Sequence, residues 1–73
     1  MSRLPTYKPD EVIRKLQKAG FSVDHVTGSH YILRHPDGRR VVVPYHQGRD
    51  LKRGVLRTIL RQAGLTPEEF RRL

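Results

Sequence analysis

The chain has 73 residues, no cysteine and a formal charge of +8, from 15 Lys and Arg against 7 Asp and Glu. A chain this short buries only about 60% of the surface its unfolded form exposes, which excludes a deep enclosed pocket and puts any chemistry on an open face. The absence of thiols excludes disulfide scaffolds and thiolate metal sites, and no apolar run reaches the length of a membrane span or signal-peptide core, so a soluble, cytoplasmic protein is expected.

Residues 1–7 lack periodicity and read as an irregular lead-in to a single domain spanning 1–73. Pro9 suits the first turn of a helix, and Asp10 and Glu11 complement the positive end of its dipole. Val12, Ile13, Leu16 and Ala19 then recur at helical spacing, with Arg14, Lys15, Gln17 and Lys18 facing out and Gly20 as the stop, which predicts a helix over 9–19. Strands follow over 21–27, 30–34 and 39–44. Gly28-Ser29 separates the first two, and the turn sequence Pro36-Asp37-Gly38 separates the second from the third. Leu51, Val55, Leu56, Ile59, Leu60 and Ala63 predict a second helix over 51–63, with Asp50 as N-cap and Gly64 as stop. Thr66-Pro67-Glu68-Glu69 is a capping box that opens a short last helix.

Short turns between the strands imply an antiparallel meander. The expected architecture is α+β: a three-stranded antiparallel sheet with two helices on one face and a short C-terminal helix. Strand alternation turns Tyr31, Leu33, Val41 and Val43 toward the helices and puts His30, Arg34 and Arg40 on the open face. Ile13, Leu16, Leu56, Ile59 and Leu60 complete the expected core. Ile32 and Val42 also fall on the open face, an apolar pair that a partner would cover.

Eleven of the 15 cations are Arg, whose planar fork matches phosphate oxygens, so a polyanion such as nucleic acid is the natural partner. A merely solubilising surface is the plain alternative. No hydrolase elbow, phosphate-cradling loop or H-E-x-x-H helix is present, and the scattered acids offer no magnesium site. The four histidines, at 25, 30, 35 and 46, form no helical i, i+4 pair, so neither metal nor cofactor is expected. His30 stands out because it follows Gly28-Ser29, whose backbone lets a phosphate approach and offers N–H donors, and because Arg34 and Arg40 share its face. An imidazole there suits metal-free RNA cleavage. RNA carries its own 2′-hydroxyl nucleophile, so the protein need only move protons and stabilise charge; DNA lacks that group and is not an expected ligand. On the second helix Lys52, Arg53, Arg57 and Arg61 form a basic stripe; Lys52 and Arg53 sit near the helix N-terminus, itself an anion site.

Gly28-Ser29-His30 with Tyr31 and Leu33, then His35-Pro36-Asp37-Gly38-Arg39-Arg40 and Val41-Val42-Val43-Pro44, resembles the HicA family of toxins. The segment from Leu51 to Leu65 is similar to that family's second helix, and the match runs from about residue 8 to the C-terminus. The resemblance implies a double-stranded-RNA-binding-domain-like α-β-β-β-α fold and the toxin of a type II toxin–antitoxin system. It further implies a ribosome-independent, metal-independent endoribonuclease that cleaves mRNA and is neutralised by a HicB-type antitoxin covering the active face. The family's catalytic histidine falls on His30. Many members carry a second histidine beside it, where this chain has Tyr31. His46 also stands where members often have a histidine; it is either a second catalytic residue or a loop-packing one. Gly28, Ser29, Arg34, Arg40, Lys52 and Arg53 are the candidate RNA-binding residues. A non-catalytic RNA or double-stranded-RNA-binding module of the same fold is the alternative from another class, and a small protein whose basic face meets an acidic protein is a third.

Overall fold

Turn and cap chemistry sets the limits of each element. The computed structural model describes residues 5–73. Helix α1 (Pro9–Lys18) opens on its proline, and the Lys8 backbone N–H donates to Glu11 Oε1 at 3.3 Å. It closes at Ala19, followed by Gly20 at φ 101°. Strands β1 (Ser22–Thr27), β2 (His30–Arg34) and β3 (Arg40–Pro44) form one antiparallel sheet in the order β1-β2-β3. Helix α2 (Arg53–Ala63) ends at Gly64 in the left-handed region. Helix α3 (Pro67–Arg71) starts from the reciprocal cap of Thr66 and Glu69. This is the α-β-β-β-α layout of a double-stranded-RNA-binding-domain-like α+β fold.

Both long helices lie on the same side of the sheet. Leu33, Val41 and Val43 are fully buried there against Val12 and Leu16 of α1 and Leu56, Ile59 and Leu60 of α2. Ile13 is buried as well, and Tyr31 is half-buried against the edge of this core. The helix α3 docks through Phe70, whose ring meets Tyr7 edge-on at 5.2 Å. No helix among the described residues is long and apolar enough to cross a membrane.

Three local expectations are corrected, and the lead-in proves to contribute to the core. Residues 1–4 of the lead-in lie outside the described residues, but Tyr7 belongs to the core and its carbonyl accepts from the Leu51 N–H at 2.8 Å. Because that bond holds Leu51 in the connecting loop, α2 starts two residues later than its apolar spacing implies, with Lys52 rather than Asp50 at the N-cap. Asp50 instead pairs with Lys8 at 3.3 Å. Lys15 does not face solvent freely: its Nζ donates to the carbonyls of Phe70, Arg71 and Leu73 and lies over the Tyr7 and Phe70 rings. A lysine at that place caps α3 and complements its negative end.

The far end of the sheet is tied by Arg39 and His35. Arg39 donates to the Ala63 carbonyl at the end of α2, pairs with Asp37 and lies over the Phe21 ring. His35 packs edge-on against Phe21, and its Nε2 would lie 2.7 Å from a Cβ at position 20. Glycine at 20 therefore answers two demands, a positive φ and a close neighbour. Gly20→Ala should lose about 1–2 kcal/mol from the backbone conformation alone, and more from the contact. Urea denaturation would check this, with His35→Ala in the same background recovering only the contact's share. A Gly20→Ala protein as stable as the parent would contradict the assignment.

Candidate active face and nucleic-acid interface

The open face is read from the register. Tyr31 and Leu33 turn toward the helices, so His30, Ile32 and Arg34 turn away, with Pro44, Val42 and Arg40 beside them on β3. His30 begins β2 directly after the two-residue turn Gly28–Ser29, where Gly28 takes φ 55°. Two-residue hairpins need that positive φ, and a Cβ built on Gly28 would meet nothing within 4 Å. The His30 side chain is exposed and has no hydrogen-bond partner among the described residues.

Several segments converge on this end of the sheet. The Tyr45 N–H donates to the Ser29 carbonyl at 2.6 Å, which ties the loop after β3 to the β1–β2 turn. Tyr45 Oη donates to Asp10 Oδ1 at 2.7 Å, and that bond holds the phenol above its ordinary pKa. With the Leu51–Tyr7 bond, these contacts bring the first turns of α1 and α2 to the His30 end. The two helix starts differ in charge. The first turn of α1 carries Asp10 and Glu11, whereas that of α2 has no acid and is led by Lys52 and Arg53. Cations at a helix N-terminus oppose its dipole and raise the local positive potential. His46 is exposed in the loop between β3 and α2. It lines a shallow cleft of about 340 Å³ with Pro44, Arg49 and Lys52, next to the strand position opposite His30.

Arg34 and Arg40 share the open face but not this end. They are cross-strand partners at the opposite end of β2, four residues or roughly 13 Å along the strand from His30. Like charges directly opposite are unfavourable. Arg34 is partly neutralised by Asp24 at 3.5 Å, while Arg40 is exposed with no acidic partner among the described residues. The structure thus sets Gly28, Ser29 and His30 at one end of the sheet, with His46 and Lys52 around the cleft beside Pro44, and puts Arg34 and Arg40 at the other end; Arg53 follows Lys52 as the first residue of α2.

Between the two ends the face holds residues that strict alternation misses. The β1–β2 register shifts between Val23, opposite Leu33, and His25, opposite Ile32. Without that bulge at Asp24, His25 would share the helix side with Val23; with it, His25 joins Ile32 on the open face. His25 Nδ1 lies 2.8 Å from Asp24 Oδ2. Ile32 is only 5% exposed yet stands apart from the core cluster, flanked in register by His25 and Val42. Of the apolar pair on the open face, Ile32 is therefore covered within the chain, contrary to the expectation that it awaits a partner, whereas Val42 is only half-buried. An aspartate in the middle of a β-rich run is the one sequence sign of the bulge. Among the described residues no group of three His, Cys, Asp or Glu is placed to hold a metal ion.

A small basic α+β domain with one sheet face left open is the class these features define. Residues 9–65 match the family described as the HicA toxin of bacterial toxin–antitoxin systems, and the chain belongs to that family. Its kind of partner is accordingly an antitoxin. No curated protein matches the chain.

The hydrogen bond from His25, reinforced by Arg34, holds the Asp24 carboxyl below the usual carboxylate range. A depressed folded-state pKa contributes stability above the unfolded value, and that contribution disappears as pH falls through the folded one. Carboxyl-carbon NMR should therefore show Asp24 titrating below ordinary aspartates, and His25→Ala should move it back up. An Asp24 midpoint indifferent to His25→Ala would show that the pair does not persist in solution.

Proposed function

We propose that this toxin is a ribosome-independent, metal-independent endoribonuclease that cleaves mRNA in the cytoplasm with His30 as its catalytic residue. A HicB-type antitoxin that covers the open face would neutralise it. The observation that carries the reading is the position of His30: exposed, free of partners within the described residues, and directly after the Gly28–Ser29 turn, whose Ser29 carbonyl accepts from Tyr45 in the loop that leads to α2.

RNA cleavage without a metal has modest requirements. An imidazole is the side chain suited to exchanging protons near neutral pH, and His30 is within reach of any phosphodiester laid on this face. Lys52, Arg53 and the backbone of the Gly28–Ser29 turn would bind the scissile phosphate and stabilise charge on it. Arg34 and Arg40, farther along β2, would hold the strand's next phosphates and so set its direction across the sheet. His46, at the cleft beside Pro44, is a phosphate or base contact in this arrangement.

His30→Ala should abolish cleavage and cellular toxicity while leaving stability and antitoxin binding nearly unchanged, since an exposed strand residue contributes little packing. General acid–base catalysis contributes ~10²–10⁴-fold, so a variant within tenfold of the parent would remove His30 from the mechanism. Products should carry a 2′,3′-cyclic phosphate and a 5′-hydroxyl, cleavage should persist in EDTA, and a 2′-deoxy substitution at the scissile nucleotide should block it. A parent protein that binds RNA without cutting it would favour the non-catalytic module instead.

Binding should also weaken steeply with salt, by about 0.7 in the log–log slope for each single-strand phosphate neutralised. Arg34→Ala and Arg40→Ala should each lower that slope by roughly one contact. Filter binding to a His30→Ala protein measures this without cleavage, and a slope unchanged by either substitution would exclude β2 and β3 from the RNA path.

A further inference from the structure

We infer that His25 is the second proton-transfer group of this active face, with Asp24 as the residue that positions it. The inference rests on the ribonuclease reading above and adds to it the group that protonates the leaving oxygen.

Cleavage by an internal 2′-hydroxyl needs two proton transfers on opposite sides of the phosphorus. The 2′-oxygen forms a bond to phosphorus and gives up its proton. The bond from phosphorus to the 5′-oxygen breaks, and that oxygen takes a proton. One imidazole can accept the first and another supply the second, leaving a cyclic phosphate, a free hydroxyl and no net change in the charge of the pair. His30 is the only histidine of β2, and the register decides which histidine can stand opposite it. His25 faces Ile32, and His30 is two residues from Ile32 on the same face. The two histidines are thus diagonal neighbours, about 7–8 Å apart at Cα, which leaves room for one phosphodiester between their rings. His46 has no such relation; it belongs to the loop beyond Pro44.

Three features fit His25 to the acid's role. The bulge at Asp24 gives up one regular pairing position and turns His25 to the open face. Asp24 Oδ2, 2.8 Å from Nδ1, fixes the ring and leaves Nε2 toward solvent, where a leaving oxygen would lie. An acidic side chain stands beside His25, and none stands beside His30 among the described residues, which sets the two histidines' surroundings apart. The other charged groups on this face are Arg34, whose Nε lies 3.5 Å from the same Asp24 Oδ2, and Arg40, its cross-strand partner. Arg34 helps hold the carboxylate ionised.

The test uses the full chain and an oligoribonucleotide whose cleavage site has been mapped. A second substrate carries sulfur in place of the 5′-bridging oxygen at that site, because a thiolate departs without a proton. His25→Ala should slow cleavage of the ordinary RNA by ~10²–10⁴-fold. On the sulfur substrate it should remain within about tenfold of the parent. His30→Ala should instead impair both substrates. Asp24→Asn should give a smaller loss on the ordinary RNA and stay within about tenfold of the parent on the sulfur substrate, a split that a purely structural role would not give. His25→Gln, with half of the native side chain exposed, guards against a folding defect and should behave as His25→Ala. If the parent is active and His25→Ala cuts ordinary RNA at near-parental rates, or loses as much on the sulfur substrate, the inference fails alone. A parent that cuts neither substrate overturns the ribonuclease reading and this inference with it.

Discussion

Leu33, Val41 and Val43 press one face of a three-stranded sheet against both long helices, and all three side chains are fully buried. A chain of 73 residues has apolar side chains enough for one such interface. Its remaining helix, α3, is five residues long and docks through Phe70 beside Tyr7 and Lys15 rather than over the sheet. The second face is therefore left without a helical layer, and polar groups can stand there without desolvation. Every candidate for chemistry in this protein occupies that face or its ends for this reason.

The same packing decides where positive potential gathers. The contacts of Tyr45 with Asp10 and Ser29, and of Leu51 with Tyr7, set both helix starts toward the end of the sheet where His30 lies. At the start of α1, Asp10 and Glu11 offset the dipole. At α2, Lys52 and Arg53 add to it instead, at a helix end with no side-chain cap. Each such charge costs roughly 0.3–1 kcal/mol of helix stability at low salt. Arg34 and Arg40, placed directly opposite one another, repeat the pattern at the other end. Departures from local preference that the fold offsets at most in part are expected where a ligand supplies the compensation, and a polyanion across the open face would do so.

One extra residue in β1 controls the composition of that face. The bulge at Asp24 reverses the direction of His25 relative to Val23. It also lets the aspartate reach both His25 and Arg34 from an edge strand. Bulges interrupt regular pairing at an edge, which discourages strand addition there, so the feature has a use even apart from chemistry. It leaves Val23 and Val26 partly uncovered on the helix side, because neither long helix extends fully over the outer strand.

Much of this was legible in the residues themselves. Helical spacing of Val12, Ile13 and Leu16 and of Leu56, Ile59 and Leu60, alternation in β2 and β3, and glycines at 20, 28 and 64 are local signals. They act through backbone conformation and one-sided burial, so they specify the elements, the sheet order and the exposure of His30. Interactions between segments distant in sequence are not local signals. The Tyr7–Leu51 bond that delays α2, the three carbonyls held by Lys15 and the approach of Tyr45 to Ser29 exist only when helices and sheet are assembled. The place of His25 has the same origin. Period-two reading assigns it to the helix side, and only pairing with β2, which must keep Leu33 and Tyr31 toward the core, forces the extra residue out and turns the histidine to join His30.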